Sequence, residues 1–233
     1  MPKQHPAAYE EVTMRKDRYV SSFLFAIVIG VIHLLPSLAS AESYLGGQLG
    51  FTIPEDFSSV FGTGVRAGAG RSNNFDLNNS FTYGVKAGHY FEHYKWLGVE
   101  ADFYTTTPHL NGQVAQFTPG GLAGVPGALT RVSTMAFSLM GRYPGEKFQP
   151  YAGMGLGLNF AKATGAFAKD TDTSPGLHLV GGARLFLTKE VALFGEYKYD
   201  RATFRFVENG ITGDYMGHTF MTGITYHFAP PGK

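Results

Sequence analysis

The chain has 233 residues, and its 19 Lys and Arg nearly balance 18 Asp and Glu, so it offers no strongly basic face for nucleic acid. Charged residues are 16% of the total, aromatics are 15%, and there is no cysteine, which excludes a disulfide scaffold, a thiolate zinc site and a cysteine nucleophile. The 31 glycines and the near-zero mean hydropathy exclude a polytopic helical membrane protein and a disordered tail.

The N-terminus reads as an address. A basic stretch, Met14-Arg15-Lys16-Asp17-Arg18, precedes an apolar run from Phe23 to Leu35, and the small residues Ala39-Ser40-Ala41 follow. Basic, apolar and A-x-A segments in that order describe a secretory signal peptide, 1–41, cleaved after Ala41. Residues 1–13 read as an upstream extension, with Met14 the more natural start. The apolar run is shorter than the ~20 residues a spanning helix needs. No longer apolar run follows it. A mature chain that enters a membrane must therefore do so as a closed barrel, the other structure that satisfies every backbone group in lipid.

From residue 42 onward the pattern is alternation of period two, the signature of strands with unlike faces. Tyr44 to Ile53 sets Leu45, Leu49 and Phe51 against Gly46, Gln48 and Gly50. Phe81 to Phe91 sets Phe81, Tyr83 and Val85 against Thr82, Gly84 and Lys86. Leu97 to Tyr104 sets Leu97, Val99 and Phe103 against Glu100, Asp102 and Tyr104. Arg131 to Tyr143 sets Met135, Phe137 and Leu139 against Thr134, Ser138 and Arg142. Phe148 to Phe160 sets Met154, Leu156 and Leu158 against Tyr151, Gly153, Gly155 and Gly157. Leu177 to Leu187 sets Leu177, Leu179 and Leu185 against His178, Gly182 and Arg184. Val191 to Tyr199 sets Leu193 and Tyr197 against Glu196 and Lys198. Tyr215 to Phe228 sets Phe220, Ile224, Tyr226 and Phe228 against Thr219, Thr225 and His227.

These eight strands are joined by alternately long and short connections. Pro54–Ser80, Thr106–Ala128, Ala161–Pro175 and Asp200–Asp214 are long. Glu92–Lys95, Pro144–Lys147 and Thr188–Glu190 are short. Long loops at one end and tight turns at the other fit an eight-stranded antiparallel up-and-down transmembrane β-barrel. A soluble lipocalin-type barrel, with its apolar face inside, is the alternative. The membrane form is favoured by a polar face of glycines and charges of both signs, and by aromatics near strand ends: Tyr44, Phe91, Tyr94, Trp96, Tyr143, Phe148, Tyr199 and Phe228. Such aromatics suit interfacial girdles.

Five stretches carry a resemblance. Tyr44-Leu45-Gly46-Gly47-Gln48-Leu49-Gly50-Phe51, Trp96 to Tyr104, Pro150 to Gly157, Phe194 to Tyr199, and Gly223-Ile224-Thr225-Tyr226-His227-Phe228 stand in an order that resembles the small bacterial outer-membrane β-barrel domain family, the OmpA/OmpX-like proteins. The likeness covers about 42–229. It implies residence in the outer membrane of a Gram-negative-type bacterium, contact with membrane lipid and lipopolysaccharide, and assembly by the barrel-assembly machinery through the C-terminal strand. Ala229 to Lys233 follow Phe228, so the closing aromatic is not the final residue. The family reading assigns no nucleic-acid partner and leaves the surface partner open.

The candidate site is the lumen. Glu100, Asp102 and Glu196 face Lys86, Arg142, Arg184 and Lys198 as a buried ion network that fills the interior, since an unpaired charge in a narrow lumen is costly. His89, His93, His109, His178, His218 and His227 are the available bases. His218 lacks the serine two residues on that a lipid A deacylase would show. Asp170 and Asp172 read as solvated loop acids, short of the remaining ligands of a calcium loop. Gly120-Gly121 and Gly124 form no phosphate cradle. Val114, Phe117, Leu122 and Val125 make one long loop apolar enough to meet a partner. The expected role is non-catalytic, without cofactor or metal: envelope integrity or adhesion. A narrow pore through a glycine-lined lumen and a lipid A-modifying enzyme are the alternatives.

Overall fold

The computed structural model describes residues 42–228 apart from 65, 66, 69, 73 and 166–168. The signal-peptide segment 1–41 and the tail after Phe228 lie outside the described residues. The strands are β1 (Glu42–Pro54), β2 (Ser58–Gly62), β3 (Arg71–Ser72), β4 (Ser80–Tyr90), β5 (Leu97–Thr106), β6 (Gln113–Thr118), β7 (Gly121–Val125), β8 (Ala128–Arg142), β9 (Phe148–Gly165), β10 (Asp170–Phe186), β11 (Val191–Phe206) and β12 (Ile211–His227).

Eight of these close a barrel. β1, β4, β5, β8, β9, β10, β11 and β12 pair in that order, and β12 returns to β1 from Tyr44↔His227 to Pro54↔Gly217. Every neighbouring pair is antiparallel. The tight turns have local causes. Gly145 packs so close to the chain that a Cβ there would lie 2.4 Å from the carbonyl oxygen of Phe148. The hydroxyl of Thr188 accepts the N–H groups of Glu190 at 3.2 Å and Val191 at 3.0 Å.

The wall decides which face looks inward. Phe81 is 61% exposed and Leu156 71%, while Lys86 is 1% exposed and Arg184 and Lys198 are 0%. Apolar residues outside and charges inside are the reverse of a soluble barrel, which removes the lipocalin-type alternative. Among the described residues no helix is long and apolar enough to cross a membrane, and the apolar outer wall is built of strands. Phe91, Tyr94, Trp96, Tyr143, Phe148 and Phe228 ring the tight-turn end, exposed as a girdle requires. Tyr44 does not join them. It shares the inward parity of Gly46 and Gln48 and is 2% exposed.

Two of the four long connections are mostly strand. β9 and β10 continue past Phe160 and Pro175, so that Ala161 pairs with Asp172 and Ala163 with Asp170. β11 and β12 run on to Phe206↔Ile211. The other two carry the short strands. β2 continues the line of β1 along β12, with Glu55 N–H bonded to the carbonyl of Met216 at 2.9 Å. β3, β6 and β7 then extend the sheet from β2. Phe57, Val60, Phe75, Ala115 and Val125 bury a small core against Val132, Ala161, Ala202, Phe204 and Tyr215. The apolar loop therefore divides: Val125 is buried and Phe117 packs against this core, whereas Val114 and Leu122 are 70% and 72% exposed.

Candidate functional site

The interior is built in floors. The middle floor holds six of the seven charges singled out above. Lys86 on β4 lies beside the carboxylate of Glu100 on β5 at 3.3 Å and reaches across the lumen to pair with Glu196 on β11. Arg184 on β10 meets Glu100 at 3.4 Å. Lys198 on β11 pairs with Asp102 on β5, and its ammonium is 3.1 Å from Glu196. Gln48 on β1 donates to Asp102 at 2.6 Å and accepts from Lys198 at 3.0 Å. Tyr44 donates to Glu100 at 2.5 Å, and Tyr151 to Glu196 at 2.8 Å. Three cations face three carboxylates, and the links cross from wall to wall.

Aromatic rings close the spaces between the charges. The Arg184 guanidinium stands 4.0 Å from the ring centre of Tyr44 and 4.5 Å from that of Tyr151. The Lys198 ammonium stands 4.4 Å from Tyr104, and that of Lys86 4.5 Å from Phe194. The lumen glycines are where these rings lie. A Cβ at Gly88 would fall 2.3 Å from the Tyr44 ring, and one at Gly223 2.8 Å from Phe194. Glycine here makes room for a neighbour's ring.

Arg142 departs from the expected network. It sits one floor lower, at the tight-turn mouth, and pairs with Glu42 at 2.5 Å rather than with Glu100, Asp102 or Glu196. It also donates to Gln149 at 3.0 Å and to the Lys95 carbonyl at 2.8 Å. Its place on the strand explains this: Arg142 is the last residue of β8 before a tight turn, and Glu42 is the first of β1 at the same end of the barrel. Above the network lie Thr52, linked to Thr82 at 2.7 Å and Thr219 at 2.8 Å, and Asp200, which accepts from Tyr104 and pairs with His178 at 2.8 Å.

A profile of the outer membrane protein beta-barrel domain family matches residues 24–228. The chain belongs to this family. As an outer-membrane barrel it resides in the cell outer membrane, with the tight turns on the periplasmic side and the long connections outside. Neisserial surface protein A is 15% identical, with a TM-score of 0.54 over 79% of this chain and 96% of that one. OprG from Pseudomonas aeruginosa is also 15% identical, with a TM-score of 0.54 over 82% and 97%. At that identity the likeness is one of fold. The outer membrane protease OmpT from Escherichia coli, 12% identical over 81% of this chain and 96% of its own, scores 0.41. No curated protein matches the chain in sequence.

In this outer-membrane barrel the remaining flagged residues scatter. His89 bonds Ser43 at 2.9 Å at the periplasmic rim. His218 faces outward, 2.9 Å from Glu55 and 2.6 Å from the Tyr197 hydroxyl. His93 is exposed in a turn. His227 bonds Glu42 at 2.7 Å and Thr225 at 3.0 Å, a hydroxyl–imidazole–carboxylate row. Thr225 and His227 are both 0% exposed, and the row ties the last strand to the first. Asp170 is not a solvated loop acid. It is 5% exposed and accepts the Asn209 backbone N–H at 3.0 Å, while Asp172 accepts that of Arg205 at 2.7 Å. Both hold the β11–β12 loop. Among the described residues no three His, Asp or Glu side chains gather as a metal would require.

Above the Thr52 and Asp200 floor the lumen changes character. Val132, Ala161, Phe204, Phe57, Leu110 and their neighbours line a cleft of about 80 Å³ that opens to water. Of the residues missed as site members, Asp200 shares the inward parity of the flagged Glu196 and Lys198 on β11, whereas Glu42, Tyr44 and Gln48 share the inward face of β1, a strand with no flagged charge.

Proposed function

We propose that this outer-membrane barrel is non-catalytic and does not conduct, and that its locked interior makes it a rigid base for the sheet it carries outside the membrane, in a structural or surface-interaction role. The observation that carries the reading is the wall-to-wall linkage of Lys86, Glu100, Asp102, Arg184, Glu196 and Lys198, with rings seated over the glycines. A path for ions would have to break several buried pairs at once, and eight strands enclose only enough space for side chains. The expected partners are lipid and lipopolysaccharide at the wall and the barrel-assembly machinery at Gly223 to Phe228. Arg131 and Lys162 support the first of these. They are cross-strand neighbours just above Phe160, and neither forms an ion pair among the described residues. Like charges placed opposite are destabilising unless an anion lies between them, and lipopolysaccharide phosphate is such an anion. The exposed Val114 and Leu122 on the β6–β7 hairpin are the surface to test for a protein partner.

The test is planar-bilayer recording of the refolded protein. Wild type gives no reproducible unitary steps, and Glu196→Ala, which unlinks both lysines, admits intermittent current. Regular wild-type steps would replace the plug with the pore alternative.

A further inference from the structure

The cleft above the plug is unlike the rest of the lumen. It is walled by carbon: Phe57, Leu110, Val132 and Phe204 surround it, and inward alanines, Ala161 and Ala163 among them, stand where longer side chains would fill it. Its few polar groups are mostly engaged. The Thr130 hydroxyl donates to the Pro108 carbonyl, and the Asn209 side-chain amide donates to Asp170 at 3.2 Å. Tyr215 is the exception. It is 4% exposed, its hydroxyl lies over Gly217, and that hydroxyl hydrogen-bonds no described residue. A water needs roughly two to four polar partners, and dry apolar cavities instead take up apolar molecules. A concave, mostly apolar space with a single placed polar group is how small-molecule sites are built. Beneath it, Tyr104, Asp200 and the ion network close the barrel, so an occupant entering from outside has no straight way through.

We propose that this extracellular cleft binds a small, uncharged, mostly hydrocarbon molecule carrying one hydrogen-bonding oxygen, with the Tyr215 hydroxyl donating to that oxygen. The alanines set the volume and Tyr215 sets the orientation.

Decanol and decane are the probes, with the protein in lipid nanodiscs and its Leu and Val methyls observed by NMR. Decanol shifts the methyls of Val132 and Leu110 saturably. The lipid-facing methyls of Leu139 and Leu156 shift only in proportion to the decanol added, because they report partition into the bilayer. Ala161→Phe, checked for folding by its heat-dependent gel mobility, abolishes the saturable shifts; if that variant does not fold, Ala163→Leu serves the same purpose. Tyr215→Phe weakens decanol about three- to tenfold, the range of one neutral hydrogen bond, and leaves decane unchanged. The proposal is overturned if the interior methyls respond only as the lipid-facing ones do, if filling the cleft changes nothing, or if Tyr215→Phe affects both probes alike.

Discussion

Glu196→Gln tests the plug most directly. Glu196 accepts from Lys86 and Tyr151, lies 3.1 Å from the Lys198 ammonium, and its side chain is 0% exposed. With it the middle floor is balanced, three cations to three carboxylates. Without its charge, Lys86 and Lys198 keep only Glu100 and Asp102, which Arg184 also uses. Removing one partner of a buried pair costs about 3–5 kcal/mol, because the surviving charge stays desolvated. At a slope of about 2 kcal/mol per molar urea, the unfolding midpoint falls by about 2 M. Lys86→Met alone destabilises comparably. The double variant leaves Arg184 with Glu100 and Lys198 with Asp102, both intact, so it is better than the sum of the singles by about 2 kcal/mol. The assay is urea unfolding of refolded barrel followed by tryptophan emission and by gel mobility. A loss below about 1 kcal/mol for Glu196→Gln, or additive singles, would show that water reaches the network and that the interior is not locked.

Other perturbations probe other floors. Gly88→Val drives a side chain into the Tyr44 ring, where a Cβ would stand 2.3 Å away; the barrel loses about 1–3 kcal/mol to overpacking, read as a lower temperature for its gel-mobility shift. Arg142→Met leaves Glu42 buried and without its cation, so the periplasmic mouth loosens and amide exchange in β1 speeds up near Tyr44, while Val132 at the other end keeps its protection. Asp170→Ala removes the acceptor of the Asn209 N–H, and limited proteolysis then cuts between Phe206 and Ile211, where wild type resists. Thr225→Val leaves no hydroxyl beside His227; it keeps the fold, and neither it nor wild type turns over lipid A, whereas wild-type turnover that Thr225→Val abolishes would revive the enzyme alternative.

The barrel was readable in the sequence because lipid and lumen impose opposite demands on alternate residues. Leu193 and Tyr197 against Glu196 and Lys198 mark the two unlike faces of such a wall, and the burial of the charges decides which face looks inward. The pairing inside the lumen was readable only in part. Composition and parity name the charges, but which cation meets which acid depends on the stagger of eight strands. That stagger lowers Arg142 to Glu42 and carries Lys86 across to Glu196. Tyr44 stands near a strand end, where girdle aromatics sit, but its parity turns it inward. Asp170 was misplaced because strand pairing beyond Phe160 brings it under Asn209.

The long connections look like loops in the sequence for a physical reason that also explains the cleft. Within the membrane, β8 alternates Phe137 and Met135 outside with Ala136 and Thr134 inside. Two residues higher the sense reverses, with Arg131 outside and Val132 inside. β9 changes from Leu158 outside and Asn159 inside to Lys162 outside and Ala161 and Ala163 inside. β11 changes from Tyr197 outside and Lys198 inside to Arg201 and Arg205 outside and Ala202 and Phe204 inside. The strands run on without interruption, but their outer surroundings pass from hydrocarbon to water, and the usual rule of apolar inside and polar outside returns. A search for one constant polarity phase ends each strand at that crossing. Tracked instead as a reversal of polarity at fixed parity, the same residues mark the outer membrane boundary at Phe160/Lys162 and Tyr199/Arg201. They also require an apolar interior above it. The inward residues there include Ala128, Ala161, Ala163 and Ala202, whose short side chains leave part of that interior unfilled, so the cleft over the ion plug follows from the strands' passage out of the membrane.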